Sequence, residues 1–483
     1  MKSEKFNNLR APENLIRRQN EEEFDIYPYR TEFGWDRDRI LYSKAFRRLK
    51  GKTQVFLSSG SDHLRTRLTH TLEVSQIART IINNLQMNEA LTEAIALGHD
   101  LGHTPFGHVG ERTLNQIMNN CDQMGVFQND MKLVDKGFKH NWQGLRVVCD
   151  LEKMYGNKGL NLTNFTLWGI LNHSGLKSKN CQFYNEDERK KCYLQRNPGN
   201  CTHSPEKGLE FGYYSKYKQF LEFESGKEAW SFEGYTVALA DEIAQRHHDM
   251  EDALNMGIID RKELIDRLTD EFKDYYSGNT KNDLTARKLL RRLQITYDVQ
   301  EFMPYLSKFI VNFYTNTLIE TSRNNLSQFI KLNKLSTRKE FLNRYPELQI
   351  NQVRDVISYP VGFNEIDVDL QNFLRNRILN SHKAQQMDGK GRFIIRRLFK
   401  AYITNPRQLH DSTILAVFRN YSEAIHVENT SNKNKIGVLR DNIDSASNKS
   451  DSIFQIALLR AICDNISGMT DDFAMQQHQQ LYS

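Results

Sequence analysis

Apolar residues recur at helical intervals along most of this chain. In the segment LEVSQIARTIINNL, the residues Leu72, Ile77, Ile81 and Leu85 lie mostly three to five positions apart and define one apolar face. Strict alternation of apolar and polar residues, the pattern of a half-buried strand, is rare, and the sequence has only nine prolines. The pattern therefore predicts an all-α fold.

Five other segments share this helical spacing. They are LTEAIALGHD, HVGERTLNQIMNN, GYTVALADEIAQRHHDMEDAL, RKLLRRLQITYDVQEF and FIVNFYTNTLIETS. The first is predicted to run into His99 and Asp100 and to end at the glycine–proline corner that follows. Two polar stretches, 176–210 and 427–451, are predicted to be loops or insertions.

The charge balance restricts function only weakly. A net charge of +6 arises from 66 basic and 60 acidic residues among 483, which permits an anionic substrate or a nucleic-acid contact and requires neither. Basic residues cluster locally in DRDRILYSKAFRRLKGK and KGRFIIRRLFK. Each cluster is either a solvated helix face or part of a phosphate-binding wall.

Hydropathy and cysteine content indicate the compartment. No run of about 18 apolar residues is present, and the N-terminus lacks the apolar segment of a secretory signal, so we expect a cytoplasmic protein without a membrane span. The six cysteines are sparse and irregularly spaced, which favours free thiols. A structural zinc site remains an alternative for the group that follows: Cys181, Cys192, Cys201 and His203.

Imidazoles and carboxylates concentrate in one glycine-rich stretch, IALGHDLGHTPFGHVGE, residues 95–111. Neutral imidazole and carboxylate together suit a divalent first-row metal. Adjacent helical residues point about 100° apart, so His99 and Asp100 need further ligands from elsewhere. His70 and Asp241 lie on separate predicted helices, and four ligands from three helices would leave a position for water or a phosphate oxygen.

A single histidine on an apolar helix is more often a packed core residue than a metal ligand. The evidence for a metal site therefore depends on these histidines and aspartates taken together. Six segments together resemble the bacterial deoxyguanosinetriphosphate triphosphohydrolases of the HD-domain superfamily, over about residues 30–476. They are RDRILYSKAFRRLKGKTQVF, RTRLTHTLEVSQIAR, GHDLGHTPFGHVGE, KHNWQGLRVV, ADEIAQRHHDMEDAL and RAICDNISGMTDDFA.

The resemblance implies a fold, a domain order and a reaction. The fold is an HD-domain helical core over 61–260, preceded by an N-terminal arm over 1–60 that contributes to the active site and oligomer contacts and followed by a helical region over 261–483. The reaction is attack of water on the α-phosphorus of dGTP or another deoxynucleoside triphosphate, which releases a deoxynucleoside and inorganic triphosphate. The implied metal ligands are His70, His99, Asp100 and Asp241. The metal is Mn²⁺ or Mg²⁺ by resemblance, while two imidazoles also suit Fe, Co, Ni or Zn.

The resemblance also implies roles beside the metal. His108 would transfer a proton to the leaving 5′-oxygen, since its ordinary pKa is near neutrality. Glu111, three residues later on the same helical face, would hold the other ring nitrogen of His108. The alternative for this pair is a carboxylate stabilised by a helix N-terminus.

Substrate contacts are implied for four more residues. Arg67 would bind phosphate oxygens, Gln54 and Asp249 would lie near the sugar 3′-hydroxyl, and His103 would either touch phosphate or brace the loop. Many relatives carry a tyrosine under the sugar where this chain has Gln245, which leaves the selection of deoxyribose and base open. His140 and Asn141 are near the motifs without an assigned role.

Other functions and partners remain alternatives. An HD-type phosphodiesterase would release different products, and a catalytically inactive nucleotide or single-stranded nucleic-acid sensor would not need the full ligand set. The resemblance implies a homo-oligomer, commonly a hexamer, and activation by nucleotides or single-stranded DNA in some relatives. Gly98, Gly102, Gly107 and Gly110 are predicted to let the backbone pass close to an anion.

Overall fold

The fold is helical throughout the part of the chain that the structure describes. A computed structural model describes residues 6–20, 29–54, 65–119, 121, 124, 135–153, 159–174, 212–220, 229–296, 298–348, 350–421, 433–447 and 452–482. Among these residues, pairing of extended segments is limited to two isolated bridges, Arg18 with Thr163 and Thr53 with Thr66. The predicted all-α fold is confirmed.

Eight α-helices form the first half of the chain. They are α1 Glu32–Tyr42, α2 Lys44–Arg48, α3 Arg67–Asn84, α4 Glu89–Gly98, α5 Gly107–Met118, α6 His140–Arg146, α7 Asn164–Asn172 and α8 Phe232–Asn255. Two 3₁₀ turns, Phe6–Leu9 and Glu13–Leu15, precede α1, and short 3₁₀ or π turns lie between the helices at Leu49–Gly51, Val147–Leu151 and Gly212–Phe220.

The second half is a further series of α-helices. They are α9 Arg261–Glu271, α10 Lys273–Tyr276, α11 Lys281–Ile295, α12 Val299–Asn333, α13 Arg338–Arg344, α14 Ile350–Val353, α15 Phe363–Leu379, α16 His382–Thr404, α17 Asp411–Tyr421, α18 Lys433–Ser447, α19 Ser452–Ser467 and α20 Asp471–Tyr482. Two 3₁₀ turns, Tyr345–Glu347 and Pro406–Gln408, interrupt them.

The apolar face predicted for LEVSQIARTIINNL differs from the buried face in one residue. Ile77, Ile81 and Leu85 are buried, but Leu72 is 51% exposed. Five residues of helix rotate a side chain by about 500°, which leaves Leu72 about 140° away from Ile77. Val74, three residues before Ile77, takes its place in the core.

Two other predicted segments need correction. RKLLRRLQITYDVQEF is not one helix, because α11 ends where Thr296 takes an extended backbone (φ −83°, ψ 113°) and α12 begins at Val299. The stretch 427–451, predicted as a loop, contains helix α18. Ile443 of that helix is fully buried in the C-terminal core, so tertiary packing outweighs the polar local composition.

The stretch 176–210 lies outside the described residues, as do the four residues of the zinc alternative. The other predicted helices are confirmed: LTEAIALGHD forms α4 with His99 as its C-cap, HVGERTLNQIMNN forms α5, and the two long segments lie within α8 and α12.

Helices α3, α4 and α8 pack against one another and build the centre of the largest hydrophobic core. Ile81 of α3, Ile95 of α4 and Val237 of α8 are all fully buried there. The same core continues into α12 through buried residues such as Phe309. The domain boundary expected at residue 260 stays a prediction, and one core extends across it.

The C-terminal helices attach to this core through buried polar contacts. The Arg146 guanidinium of α6 makes a bidentate contact with Asp464 of α19, with Nε 2.9 Å from Oδ1 and Nη2 2.5 Å from Oδ2. Asp471, at the start of α20, accepts hydrogen bonds from the backbone nitrogens of Thr53 and Phe106, both at 2.9 Å. These contacts fix two segments that reach the site described below.

None of the helices in the described part of the chain has the length and apolar character that crossing a bilayer requires.

The corner after α4 depends on close backbone approach at Gly102. A Cβ there would lie 2.0 Å from the carbonyl oxygen of His140 and 2.2 Å from the backbone nitrogen of Gly144. The sequence predicts that Gly102 lets the backbone pass close to an anion. In the structure, the absence of a side chain at Gly102 instead lets the backbone of α6 approach. Of the four glycines, Gly107 is the one that lines a cavity.

We expect Gly102→Ala to lower the free energy of unfolding by about 3 kcal/mol, the upper range for overpacking, because the contacting atoms are backbone. Gly389→Ala is the control, since Gly389 is exposed in α16 with no atom within 4 Å of a Cβ; it should gain about 0.5–1 kcal/mol. Thermal and urea unfolding of both variants measure the difference. Equal stability of the two variants would contradict the close approach.

Candidate metal centre and adjoining cavity

Three helices bring four polar side chains together in the core. His70 lies in the first turn of α3, which Thr66 caps by accepting a hydrogen bond from the Thr69 nitrogen. His99 is the C-cap of α4, with Asp100 next, and Asp241 lies in the middle of α8. Because α3, α4 and α8 pack together, residues far apart in sequence become neighbours.

The donor atoms of His70, His99 and Asp241 all lie within 4.8 Å of one another. His70 Nε2 is 2.9 Å from Asp241 Oδ1, and His99 Nε2 is 3.7 Å from the same oxygen. Asp100 adjoins the group, with its Oδ1 3.5 Å from His99 Nε2. The structure therefore assembles the four residues predicted as ligands, and their binding of an ion stays a prediction.

The protonation of His99 suits metal binding. Its Nδ1 lies 2.7 Å from the carbonyl oxygen of Ala96, so this nitrogen carries the hydrogen and donates it. Nε2 then bears a lone pair, and it is buried without a hydrogen-bond partner in the described structure. An orphaned imidazole nitrogen that faces two carboxylates is the arrangement that a divalent cation would satisfy.

Both carboxylates are held in the charged form. Burial raises the pKa of Asp100, but His103, His99 and Arg67 outweigh it and bring that pKa well below its usual range. Arg67 Nη1 donates to Asp100 Oδ2 at 2.8 Å, and His103 Nδ1 is 2.9 Å from Oδ1. Burial likewise raises the pKa of Asp241, and the hydrogen bond from His70 together with the neighbouring His99 lowers it overall.

A cavity of about 400 Å³ begins at Gln245, one turn beyond Asp241 on α8, and the four predicted ligands are not among its lining residues. Five residues singled out in the sequence line it: Gln54, His108, Glu111, Gln245 and Asp249. Along α8, residues 241, 245 and 249 follow at intervals of four, so one face of this helix runs from the ligand cluster into the cavity.

Arg67 and His103 are not among the lining residues, and both are buried. Gly107 faces the cavity, and Arg67 lies directly behind it. The Arg67 Nη2 atom is 3.6 Å from the position that a Cβ added to Gly107 would take. A phosphate contact from Arg67 therefore stays a prediction.

Glu111 contacts His140, where the sequence led us to expect a hydrogen bond to His108. His140 donates its backbone N–H to Glu111 Oε2 at 3.2 Å, and its Nδ1 contacts the same oxygen. The reason is that α6 begins at His140, and a helix N-terminus attracts a carboxylate. Burial raises the pKa of Glu111, but His140 and Lys139 hold it well below its usual range.

His140 joins a group of imidazole rings beside the cavity. Its ring stacks on that of His103 at 3.9 Å between centroids, and the His108 ring is 6.0 Å from His103. Sequence reasoning noted His140 without a role, since only the fold shows that α6 points at Glu111.

His108 presents an exposed side chain to the cavity. Its surroundings lower the pKa of the ring to about 4, first by burial and then through Arg67, His140 and Arg112, with Glu111 acting in the opposite direction. In the free protein, His108 is a neutral imidazole at pH 7.

The far wall of the cavity comes mainly from α15 and α16, which contain none of the six family-like segments. It comprises Gln371 and Arg375 of α15 and Met387 and Asp388 of α16, with Arg112 of α5 beside them. Arg112 Nη2 donates to Asp388 at 3.2 Å. Arg375 is exposed and has no carboxylate partner among the described residues, so its guanidinium is available to an anion. The basic cluster KGRFIIRRLFK of α16 was the signal in the sequence, and α15 lies in no motif.

Comparison with known families and proteins agrees with this arrangement. Residues 67–199 match the HD domain, and residues 358–424 and 433–480 match the phosphohydrolase-associated domain. A deoxyguanosinetriphosphate triphosphohydrolase-like protein of Rickettsia bellii (strain RML369-C) is 32% identical over 464 residues, which cover 94% of this chain and 92% of the relative. The protein of the same description from Rickettsia prowazekii (strain Madrid E) is 32% identical over 463 residues, with the same coverage.

We expect His99→Ala to remove one divalent ion per chain from the full-length protein, because the variant loses the orphaned Nε2 donor. Titration calorimetry with Mn²⁺ on chelator-treated protein measures the loss. His410→Ala replaces an exposed histidine outside the cluster and should bind as the unchanged protein does. Identical Mn²⁺ binding by both variants would exclude His99 as a ligand.

Proposed function

Since the chain belongs to the deoxyguanosinetriphosphate triphosphohydrolase-like family of HD-domain proteins, we propose that it is a divalent-metal-dependent triphosphohydrolase of deoxynucleoside triphosphates. dGTP or another deoxynucleoside triphosphate would be cleaved to a deoxynucleoside and inorganic triphosphate. The observation that carries this proposal is that one face of α8 joins the His–Asp donor group, through Asp241, to a cavity lined by Asp249, His108 and Gln54.

The donor group fits the metal that such a reaction needs. His70, His99, Asp100 and Asp241 would hold it, and a bound divalent ion would neutralise charge on the α-phosphate and lower the pKa of a coordinated water. Arg67, tied to Asp100, would place a fixed positive charge beside the same phosphate and keep that carboxylate oriented.

His108 is the proposed proton carrier. Its low pKa leaves the ring neutral in the free protein, whereas the negative charge of a bound triphosphate would raise that pKa. The ring would thus take up a proton as substrate binds and release it to the 5′-oxygen as the bond to phosphorus breaks. Glu111 would act through His140, which it holds, as a positioning residue for the stacked imidazoles.

The sugar would lie against Gln54 and Asp249. Gln54 Oε1 is buried without a hydrogen-bond partner among the described residues, so a substrate hydroxyl would satisfy it. Asp249, two turns beyond Asp241 on α8, would accept from the same 3′-hydroxyl. Gln245 lies between Asp241 and Asp249 along α8. From the resemblance, we expect relatives to have a tyrosine at this position. The preference for one base would follow from this side of the cavity and from the residues of α15.

The decisive experiment is product identification. The purified chain is incubated with each of the four deoxynucleoside triphosphates and their ribose counterparts, with Mn²⁺ and with chelator, and products are identified by mass. Intact triphosphate and deoxynucleoside are expected only with metal. A nucleoside monophosphate with pyrophosphate, or hydrolysis of a cyclic nucleotide instead, would indicate the phosphodiesterase alternative, and no turnover would indicate a sensor.

His108→Ala should lower kcat by about 10²–10⁴-fold, the range for loss of a positioned acid, while Mn²⁺ binding remains. The matched control is His410→Ala, which removes an exposed histidine outside the cavity and should leave kcat unchanged. Loss of Mn²⁺ binding in His108→Ala would instead assign that residue to the metal centre or to folding.

Arg375→Ala should raise KM by about 10–100-fold with little change in kcat, because a charge-assisted hydrogen bond to the distal phosphates contributes about 1.5–3 kcal/mol. Arg377→Ala is the control on the same helix, since Arg377 Nη2 is 2.9 Å from Glu263 and outside the cavity. Equal KM values in both variants would remove Arg375 from substrate binding.

A further inference from the structure

The geometry points to a second divalent-cation site, formed by Glu73 of α3 with His247 and His248 of α8. One donor atom from each of these residues lies within 4.8 Å of the other two. The group shares no residue with the His70–His99–Asp241 cluster. It is therefore a separate site, and its existence does not depend on the function proposed above.

Two imidazole nitrogens converge on one carboxylate oxygen. Glu73 Oε2 contacts His248 Nε2 and lies 3.7 Å from His247 Nδ1. Adjacent helical residues point about 100° apart, so two neighbouring imidazoles can share an ion only when a third ligand faces the space between them. Glu73, on the helix packed against α8, faces that space.

His247 is oriented as a metal ligand. Its Nε2 lies 2.8 Å from Glu251 Oε1 and 2.8 Å from Ser307 Oγ, so the ring hydrogen is directed to those oxygens. Nδ1 then bears a lone pair, and it is buried without a hydrogen-bond partner in the described structure. A ligating histidine commonly donates its other N–H to a carboxylate in this way.

The local charge favours a cation. Two carboxylates, Glu73 and Glu251, face a single guanidinium, that of Arg65, which contacts Glu251 Oε2 and has its Nε 3.6 Å from Glu73 Oε1. Metal binding requires both imidazoles in the neutral form, and in that form the cluster carries one excess negative charge. Binding of a divalent ion would change the net charge of the cluster from one negative to one positive charge. Water at the partly exposed edge of the site can solvate that positive charge.

The ligand chemistry and the access define the ion. Two imidazole nitrogens and one carboxylate oxygen suit Zn²⁺, Co²⁺ or Mn²⁺ better than Mg²⁺ or Ca²⁺. The imidazoles of His247 and His248 are buried, while the Glu73 side chain is 37% exposed. This exposure leaves an entry path and a position for water. The His248 ring lies 5.3 Å from that of His70, so an ion here would join α3 to α8 beside the first centre.

Metal stoichiometry of the full-length chain tests this site without reference to activity. Chelator-treated protein is dialysed against Co²⁺ or Zn²⁺ and metal is counted by mass spectrometry. We expect two ions per chain, one in His247→Gln, one in Glu73→Gln, one in His99→Ala and none in the His99→Ala/His247→Gln double variant. Absorption of bound Co²⁺ in the visible range distinguishes the two centres.

Glutamine keeps size and hydrogen bonding at both positions, and thermal unfolding of each variant establishes that it folds. His410→Ala serves as the control with unchanged stoichiometry. One ion in the unchanged protein, lost in His99→Ala and retained in His247→Gln, would overturn the proposal and identify the cluster as ion pairs only. Two ions retained in both His247→Gln and Glu73→Gln would overturn it equally.

Discussion

The close packing of α3 against α4 and α8 is the constraint on which the rest of the structure depends. Buried imidazoles and carboxylates in a helical core cost free energy unless each finds a partner. Here they find one another, as His70 with Asp241 and Arg67 with Asp100 show. Small residues allow the approach behind them: a Cβ on Gly98 would lie 2.6 Å from Ile170. An apolar core of the same shape would be easier to stabilise, so the retained polar centre indicates function.

Sequence reasoning found the parts of this centre that depend on local pattern. His70, His99 and Asp241 each lie on a helix whose apolar spacing fixes which face is buried, and motif spacing identifies them as a set. The pairing of Glu111 with His140 could not be found in this way. It depends on the close approach of α6 to Gly102, a tertiary contact, whereas helical spacing alone favoured the neighbouring His108.

The same distinction separates the two sides of the cavity. One side of the cavity includes residues of the glycine-rich motif. The other side comes from α15 and α16, where Gln371 and Arg375 belong to no motif. Local composition did not predict this side of the cavity, just as it did not predict helix α18. Both features depend on which surfaces meet in the folded chain. Asp471 shows how far the dependence extends, since this carboxylate of α20 holds Thr53 and Phe106 at the cavity. The C-terminal helices are thus part of the site.

A row of imidazoles links the two donor clusters to the cavity, and its chemistry follows from close spacing. His99 and His173 are 5.1 Å apart, and His173 and His140 are 5.5 Å apart. Rings this close cannot all be charged.

Burial, followed by the neighbouring rings of His99 and His140, lowers the pKa of His173 to about 3. In His70, by contrast, burial lowers the pKa but Asp241 raises it overall. His173, which makes no ion pair among the described residues, therefore stays neutral, and a neutral imidazole offers a lone pair to a cation and little attraction to phosphate. Positive charge for the proposed triphosphate substrate would then come from a His108 ring protonated on binding, from the guanidiniums behind and across the cavity, and from the ions that the donor clusters would hold.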